Sequence, residues 1–114
     1  MTHTMNLSPI PFALIRDGKK TIELRLYDEK RRNVKEGDTI VFANAVNGAE
    51  TLCAKVVKIH VFDSFKALYE TLPLEKCGYS AEELATASPD DMDIYYPKEK
   101  QSMYGVVGIE IELL

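Results

Sequence analysis

The stretch Gly18-Lys19-Lys20-Thr21-Ile22-Glu23-Leu24-Arg25-Leu26-Tyr27 decides the reading of this chain. From Thr21 to Tyr27 polar and apolar residues alternate strictly, which is the period of a β-strand with one face in a core. Ile22, Leu24 and Leu26 are expected to point inward. Thr21, Glu23, Arg25 and Tyr27 then share the opposite face, with successive members about 6.6 Å apart at ordinary strand rise. Gly18 can take a left-handed turn that other residues resist, so it ends a preceding helix and brings Lys20 to the mouth of the strand.

Working outward, Ser8-Pro9 reads as a helix start, with proline in the first turn where its missing N–H costs nothing. Phe12 and Ile15 give that helix an apolar stripe ending at Gly18. The residues before it, His3 among them, are expected to be frayed. After Tyr27 a polar run from Asp28 to Asp38 turns at Glu36-Gly37-Asp38 into a strand, Thr39 to Phe42. Asn47-Gly48 tolerates the positive φ of a tight hairpin and predicts pairing with a second strand, Thr51 to Phe62. In that strand Cys53, Val57 and Ile59 fall on one parity and Val56, Lys58 and His60 on the other, as suits a curved, partly covered sheet.

Asp63 or Ser64 can cap a helix in which Phe65, Leu68, Tyr69 and Leu72 recur at helical spacing, and Pro73 ends it. Ser80-Ala81-Glu82-Glu83 and Ser88-Pro89-Asp90-Asp91 have capping-box chemistry, so two short helices follow, the second stopped by Pro97. A polar turn leads into a last strand, Tyr104 to Leu114, with Val107, Ile109, Ile111 and Leu113 on one face and Glu110 and Glu112 on the other. Strands at the start, middle and end with helices inserted between them define an α+β domain. Residues 1–114 make one domain, with no internal repeat or linker. Joining the last strand to the first would close a small barrel of about five to six strands and remove exposed edges.

Hydrophobic residues make up 46% of the 114 residues and charged ones 28%, ordinary globular usage. No segment approaches the roughly 20 apolar residues of a membrane helix. The start of the chain lacks the basic and apolar pattern of a signal peptide, so a cytoplasmic location is expected. Cys53 and Cys77 do not form a disulfide framework and read as buried thiols. His3 and His60 stand apart from any ligand set, so no metal and no cofactor is expected. The net charge of −4 argues against a protein that coats nucleic acid non-specifically. Yet Arg16 to Lys35 holds eight basic residues against four acidic ones, a local excess of cations.

Glu23 and Arg25 can pair with each other as surface ions do, or present an acceptor and a bidentate donor to a ligand. Arg suits a phosphate or a carbonyl-bearing base, and Glu suits an exocyclic amine. Tyr27, on the same face, offers a ring on which a base can stack, or caps a barrel. Tyr96, ahead of the last strand, is a candidate ligand wall. The basic loop Lys30-Arg31-Arg32 is either solvated or a guide for a phosphate backbone.

Gly18, Lys20, Glu23 and Arg25 also occupy the four places of Gly-x-Lys-x-x-Glu-x-Arg, and in this the chain resembles the ASCH superfamily. The preceding helix, the Gly37-Asp38 turn and the closing run Tyr104-Gly105-Val106-Val107-Gly108-Ile109-Glu110 resemble it too, so the likeness covers nearly the whole chain. It is similar to the small single-domain bacterial type. The resemblance implies a PUA-like β-barrel with peripheral helices and an RNA or nucleotide ligand in a cleft holding Lys20, Glu23 and Arg25. Some members are amidohydrolases acting on acetylated cytidine, with a threonine nucleophile where this chain has Glu23, so the chain departs from that catalytic set at the nucleophile. Lys20 matches the lysine of that catalytic set, and its third member falls near Glu75 or Cys77. Other members are ribonucleases. In a hydrolase of that kind Lys20 and Glu23 would be catalytic, Glu23 as base and Lys20 or Arg25 stabilising the developing charge.

Overall fold

The structure is a computed structural model describing residues 1–114. The alternating stretch forms strand β2 (Ile22–Leu26), at one end of a five-stranded sheet. The other strands are β1 (Thr2–Leu7), β3 (Thr39–Asn44), β4 (Thr51–Phe62) and β5 (Val106–Leu113), in the spatial order β1-β3-β4-β5-β2. β3 and β4 are the hairpin joined across Asn47-Gly48, and β5 runs antiparallel to both β4 and β2.

The N-terminus is not frayed. Thr2-His3-Thr4-Met5-Asn6-Leu7 pairs parallel with β3, and His3, Met5 and Leu7 are buried on one face. His3 Nε2 lies 2.8 Å from Asp38 Oδ2, and Asp38 also accepts from the terminal amine at 3.3 Å and from Lys35 N at 3.0 Å. Three partners hold the Asp38 carboxyl at about 2, His3 contributing most.

The sheet curls, and both its faces are covered. Inside the curl α1 (Pro9–Arg16) inserts Phe12 and Ile15 among Met5, Ile40, Phe42, Val56 and Ile109. Outside it, Ile22, Leu24 and Leu26 pack with Phe65 and Leu68 of α3 (Phe65–Thr71) and with Leu72, Cys77 and Met92. The even-numbered residues of β2 are thus core residues as expected, in the core beneath the helices. β4 spans both environments because Val57 is an extra residue between the pairs Val56–Ile111 and Lys58–Glu110, and this bulge switches the inward parity, so Ile59 joins the inner core. Cys53, expected buried, is exposed, whereas Cys77 is buried.

Two helices occupy segments expected to be irregular. In the polar run α2 (Glu29–Arg32) is capped by Asp28, whose Oδ1 accepts from Arg31 N at 3.1 Å. After Pro97, α5 (Lys98–Tyr104) replaces the polar turn, and its buried Gln101 donates to Tyr96 O at 2.8 Å. The Ser80 box starts α4 (Ala81–Leu84), and the Ser88 box starts a 3-10 segment, Pro89–Ile94. A second 3-10 turn, Leu74–Cys77, follows α3. No helix is long and apolar enough to cross a membrane.

Candidate functional site

β1 and β2 are the unpaired edges of the sheet, and the curl brings them together. Where they meet, Arg25 Nη2 donates to the carbonyl oxygen of Asn6 at 2.7 Å. Beside this seam lies a cleft of about 1060 Å³, walled by Asn6 and Leu7, by the start of α1, by β2 and by the segments around Cys77 to Tyr79 and Asp90 to Tyr96.

Its floor is the charged trio. Glu23 is only 3% exposed, with Oε1 2.8 Å from Lys20 Nζ and Oε2 2.7 Å from Arg25 Nη2. Arg25 Nε also donates to Oε2 at 2.8 Å. Burial alone would push the Glu23 carboxyl up, but the cations of Lys20 and Arg25 outweigh it and hold the group below its ordinary value. Burial lowers Arg25 in turn, and the charge of Glu23 more than restores it, so the guanidinium stays charged. A carboxylate with both oxygens engaged and its acidity enhanced is a fixed acceptor and a weak base.

Local sequence explains how Lys20 arrives there. Gly18 takes φ 76°, and the main-chain N–H groups of Lys19 and Lys20 both donate to Leu14 O, folding the chain back across the end of α1. On the far side Gly78, at φ 108°, leaves room for the lysine stem: a Cβ there would stand 3.3 Å from Lys20 Cδ.

Tyr96 lines the same cleft and stacks on Phe65, with ring centroids 6.2 Å apart and planes 17° from parallel. Burial raises its phenol pKa. Lys20, Glu23, Arg25 and Tyr96 are therefore brought together. Tyr27 is not: it packs against the inner core beneath Arg32, whose guanidinium carbon lies 4.5 Å from the ring centre. The basic loop does not line the cleft either, since Arg31 pairs with Asp28 at 3.2 Å and Arg32 donates to Tyr104 O. Glu75 is outside it, while Cys77 forms part of the wall, its thiol pushed by burial to about 11.

Other lining residues escaped the sequence reading. Ile10 of α1, with Ile94 and Tyr95, sets exposed apolar side chains at the mouth. Tyr79 OH donates to Asp91 Oδ2 at 2.9 Å and lies 2.6 Å from Tyr69 OH, tying the α4 side of the wall to α3 and to the Ser88 cap. Both capping boxes are visible in sequence; that Glu83, Asp90 and Asp91 converge on one cleft is not. No group of three His, Cys, Asp or Glu side chains is placed to hold a metal ion.

The ASCH domain family matches residues 5–114. The chain belongs to that family, and its curled five-stranded α+β fold is the family's fold. The crystal structure of hypothetical protein PH0355 is 40% identical, superposes with a TM-score of 0.82, and each chain covers 100% of the other. The solution structure of protein PF0455 from Pyrococcus furiosus is 40% identical with a TM-score of 0.72, over 100% of this chain and 98% of that one. The crystal structure of ASCH from Zymomonas mobilis shares 15% identity at a TM-score of 0.61, over 96% of this chain and 65% of that one, a likeness of fold alone. Similarity at 40% to a protein of the archaeon Pyrococcus furiosus corrects the expectation of a specifically bacterial type. No curated protein matches the chain.

Proposed function

We propose that the protein binds RNA or a nucleotide ligand by taking one nucleoside unit, free or displayed by an RNA strand, into the cleft. Lys20, Glu23, Arg25 and Tyr96 are its contacts. The observation that carries this reading is the burial of three charges on the floor of a ligand-sized cavity: the side chains of Lys20, Arg25 and Glu23 are 10%, 12% and 4% exposed. Desolvating such a cluster costs several kcal/mol per ion, and apolar residues of similar volume generally stabilise a fold as well or better. Fixed donors and a fixed acceptor beside an aromatic ring suit the polar edge and the flat face of a base.

The charge of the lining favours one nucleoside over a run of phosphates. Lys20 and Arg25 stand against the carboxylates of Glu23, Glu83, Asp90 and Asp91. Saturation of Glu23 supports binding over hydrolysis of RNA or of an acylated nucleoside, because the group is a poor base. Calorimetry at low salt against nucleosides and short single-stranded RNA tests the proposal. Lys20→Met is expected to weaken binding at least about tenfold with the fold intact, one lost charge-assisted hydrogen bond. Absence of any binding by the unsubstituted protein would refute it.

A further inference from the structure

The polar side chains of the cleft differ in how much of their hydrogen-bonding capacity the fold already uses. Glu23 accepts from Lys20 Nζ at Oε1 and from Arg25 Nε and Nη2 at Oε2, so little of its accepting capacity is left. Cys77 Sγ donates to Pro73 O at 3.6 Å, and Tyr79 OH is held between Tyr69 OH and Asp91 Oδ2. These groups are committed to the protein.

The two cations are not. An ammonium has three N–H groups, and Lys20 has one acceptor, Glu23 Oε1 at 2.8 Å. In Arg25 the N–H groups of Nε and Nη2 go to Glu23 and to Asn6 O, and Nη1 has no partner. Nη1 is not sealed inside the protein either, since the one buried side-chain atom without a partner is Arg31 Nε. Glu23 and Asn6, which hold this guanidinium, border the cleft together with it. The floor therefore has uncommitted donors beside a carboxylate that is already engaged.

Acceptors stand at the rim, where Glu83, Asp90 and Asp91 are exposed and hold Ser80 N, Lys98 Nζ and Ser88 N. A hydrogen bond made in contact with water discriminates little, whereas a buried donor left unpaired bears its full desolvation cost. Lys20 and Arg25, with side chains 10% and 12% exposed, are such donors. We infer that the cleft selects a keto base, one whose ring bears a carbonyl oxygen where an amino base bears an exocyclic amine, and that this oxygen accepts the free N–H groups of Lys20 and Arg25. An amine in that place would set N–H against N–H. The inference rests on the nucleoside-binding function proposed above and adds the class of base it takes.

The test compares uridine with cytidine and inosine with adenosine by calorimetry at low salt, two pairs in which a ring carbonyl and its neighbouring N–H are exchanged for an amine and a bare nitrogen. Oligouridylate and oligocytidylate are compared in the same way. In whichever pair binds, the keto member is expected to bind at least about tenfold more tightly. Lys20→Met and Arg25→Met are each expected to narrow that ratio, whereas a merely structural loss would weaken both members alike. Equal affinities within a pair, or a preference for the amino member, would overturn this inference and leave the nucleoside reading standing. A ratio unchanged in both variants would overturn the assignment to Lys20 and Arg25. If neither the nucleosides nor the oligonucleotides bind, both readings fall.

Discussion

Arg25 Nη2 lies 2.7 Å from the carbonyl oxygen of Asn6, so one guanidinium both neutralises Glu23 and joins the two edge strands of an open barrel. Sheet edges left open invite pairing with other chains. Here a side chain bridges the gap between β1 and β2, and the cleft lies beside that seam.

Arg25→Met retains the apolar stem and removes both roles. Asn6 O and Glu23 Oε2 each lose a donor, while Lys20 still holds Glu23 Oε1. Exchange of the amides from Met5 to Leu7 is expected to quicken more than exchange in the central strand β4, because the seam opens before the sheet melts. Hydrogen exchange read by mass spectrometry or NMR decides this, and uniform acceleration across all strands would contradict a seam role.

Glu23→Gln tests the buried cluster as a unit. Removal of the carboxylate leaves two cations, each about nine-tenths shielded, facing each other without compensation. Breaking a buried ion pair in this way costs roughly 3–5 kcal/mol, against ~0–1 kcal/mol for a pair on the surface. Urea denaturation is expected to show a loss in the larger range, and a midpoint shift too small to resolve would mean that solvent screens the trio.

These two variants mark what sequence could and could not show. Alternation from Thr21 to Tyr27 establishes the strand and its two faces, and the Gly18 turn explains Lys20. Alternation assumes one buried face, however, and in a curled sheet both are covered, so Glu23 is a core residue as much as Ile22. For the same reason Tyr27, on the face of Glu23 and Arg25, runs past the cleft into the inner core. β1 alternates too, with His3, Met5 and Leu7 inward, but its partner β3 lies more than thirty residues away. Parallel pairing at that distance leaves no turn signal. Residues Cys77 to Tyr96 reach the cleft through helix packing, which no local pattern encodes.

Gly78→Ala probes the wall behind Lys20. At φ 108° a side chain is strained by roughly 1–2 kcal/mol, and the added methyl meets Lys20 Cδ at 3.3 Å. The lysine stem must give by a few tenths of an ångström, beside the end that holds Glu23. Nucleoside affinity is expected to fall along with a modest loss of thermal stability, whereas Gly37→Ala, at φ 89° with open space around it, loses stability with affinity unchanged. Equal affinities for the two variants would detach Lys20 placement from binding.

Asp38 gives the fold its dependence on acid at the far end of the seam strand β1. Its carboxyl is lowered from 3.8 to about 2 by the hydrogen bond with His3, then by the Lys35 N–H and the terminal amine. A group with a lowered folded pKa stabilises fully above its unfolded value and loses that contribution as pH falls through the folded one. The contribution of Asp38 is therefore complete above about pH 4 and fades toward pH 2. In Asp38→Asn the neutral amide no longer offers a charge to His3 and the amine, so the variant is expected to melt below the parent protein at pH 6. The gap between the two melting temperatures is expected to narrow steadily between pH 4 and pH 2, where the parent carboxyl becomes neutral as well. A gap that stayed constant across that range would show that Asp38 acts through shape and not through charge.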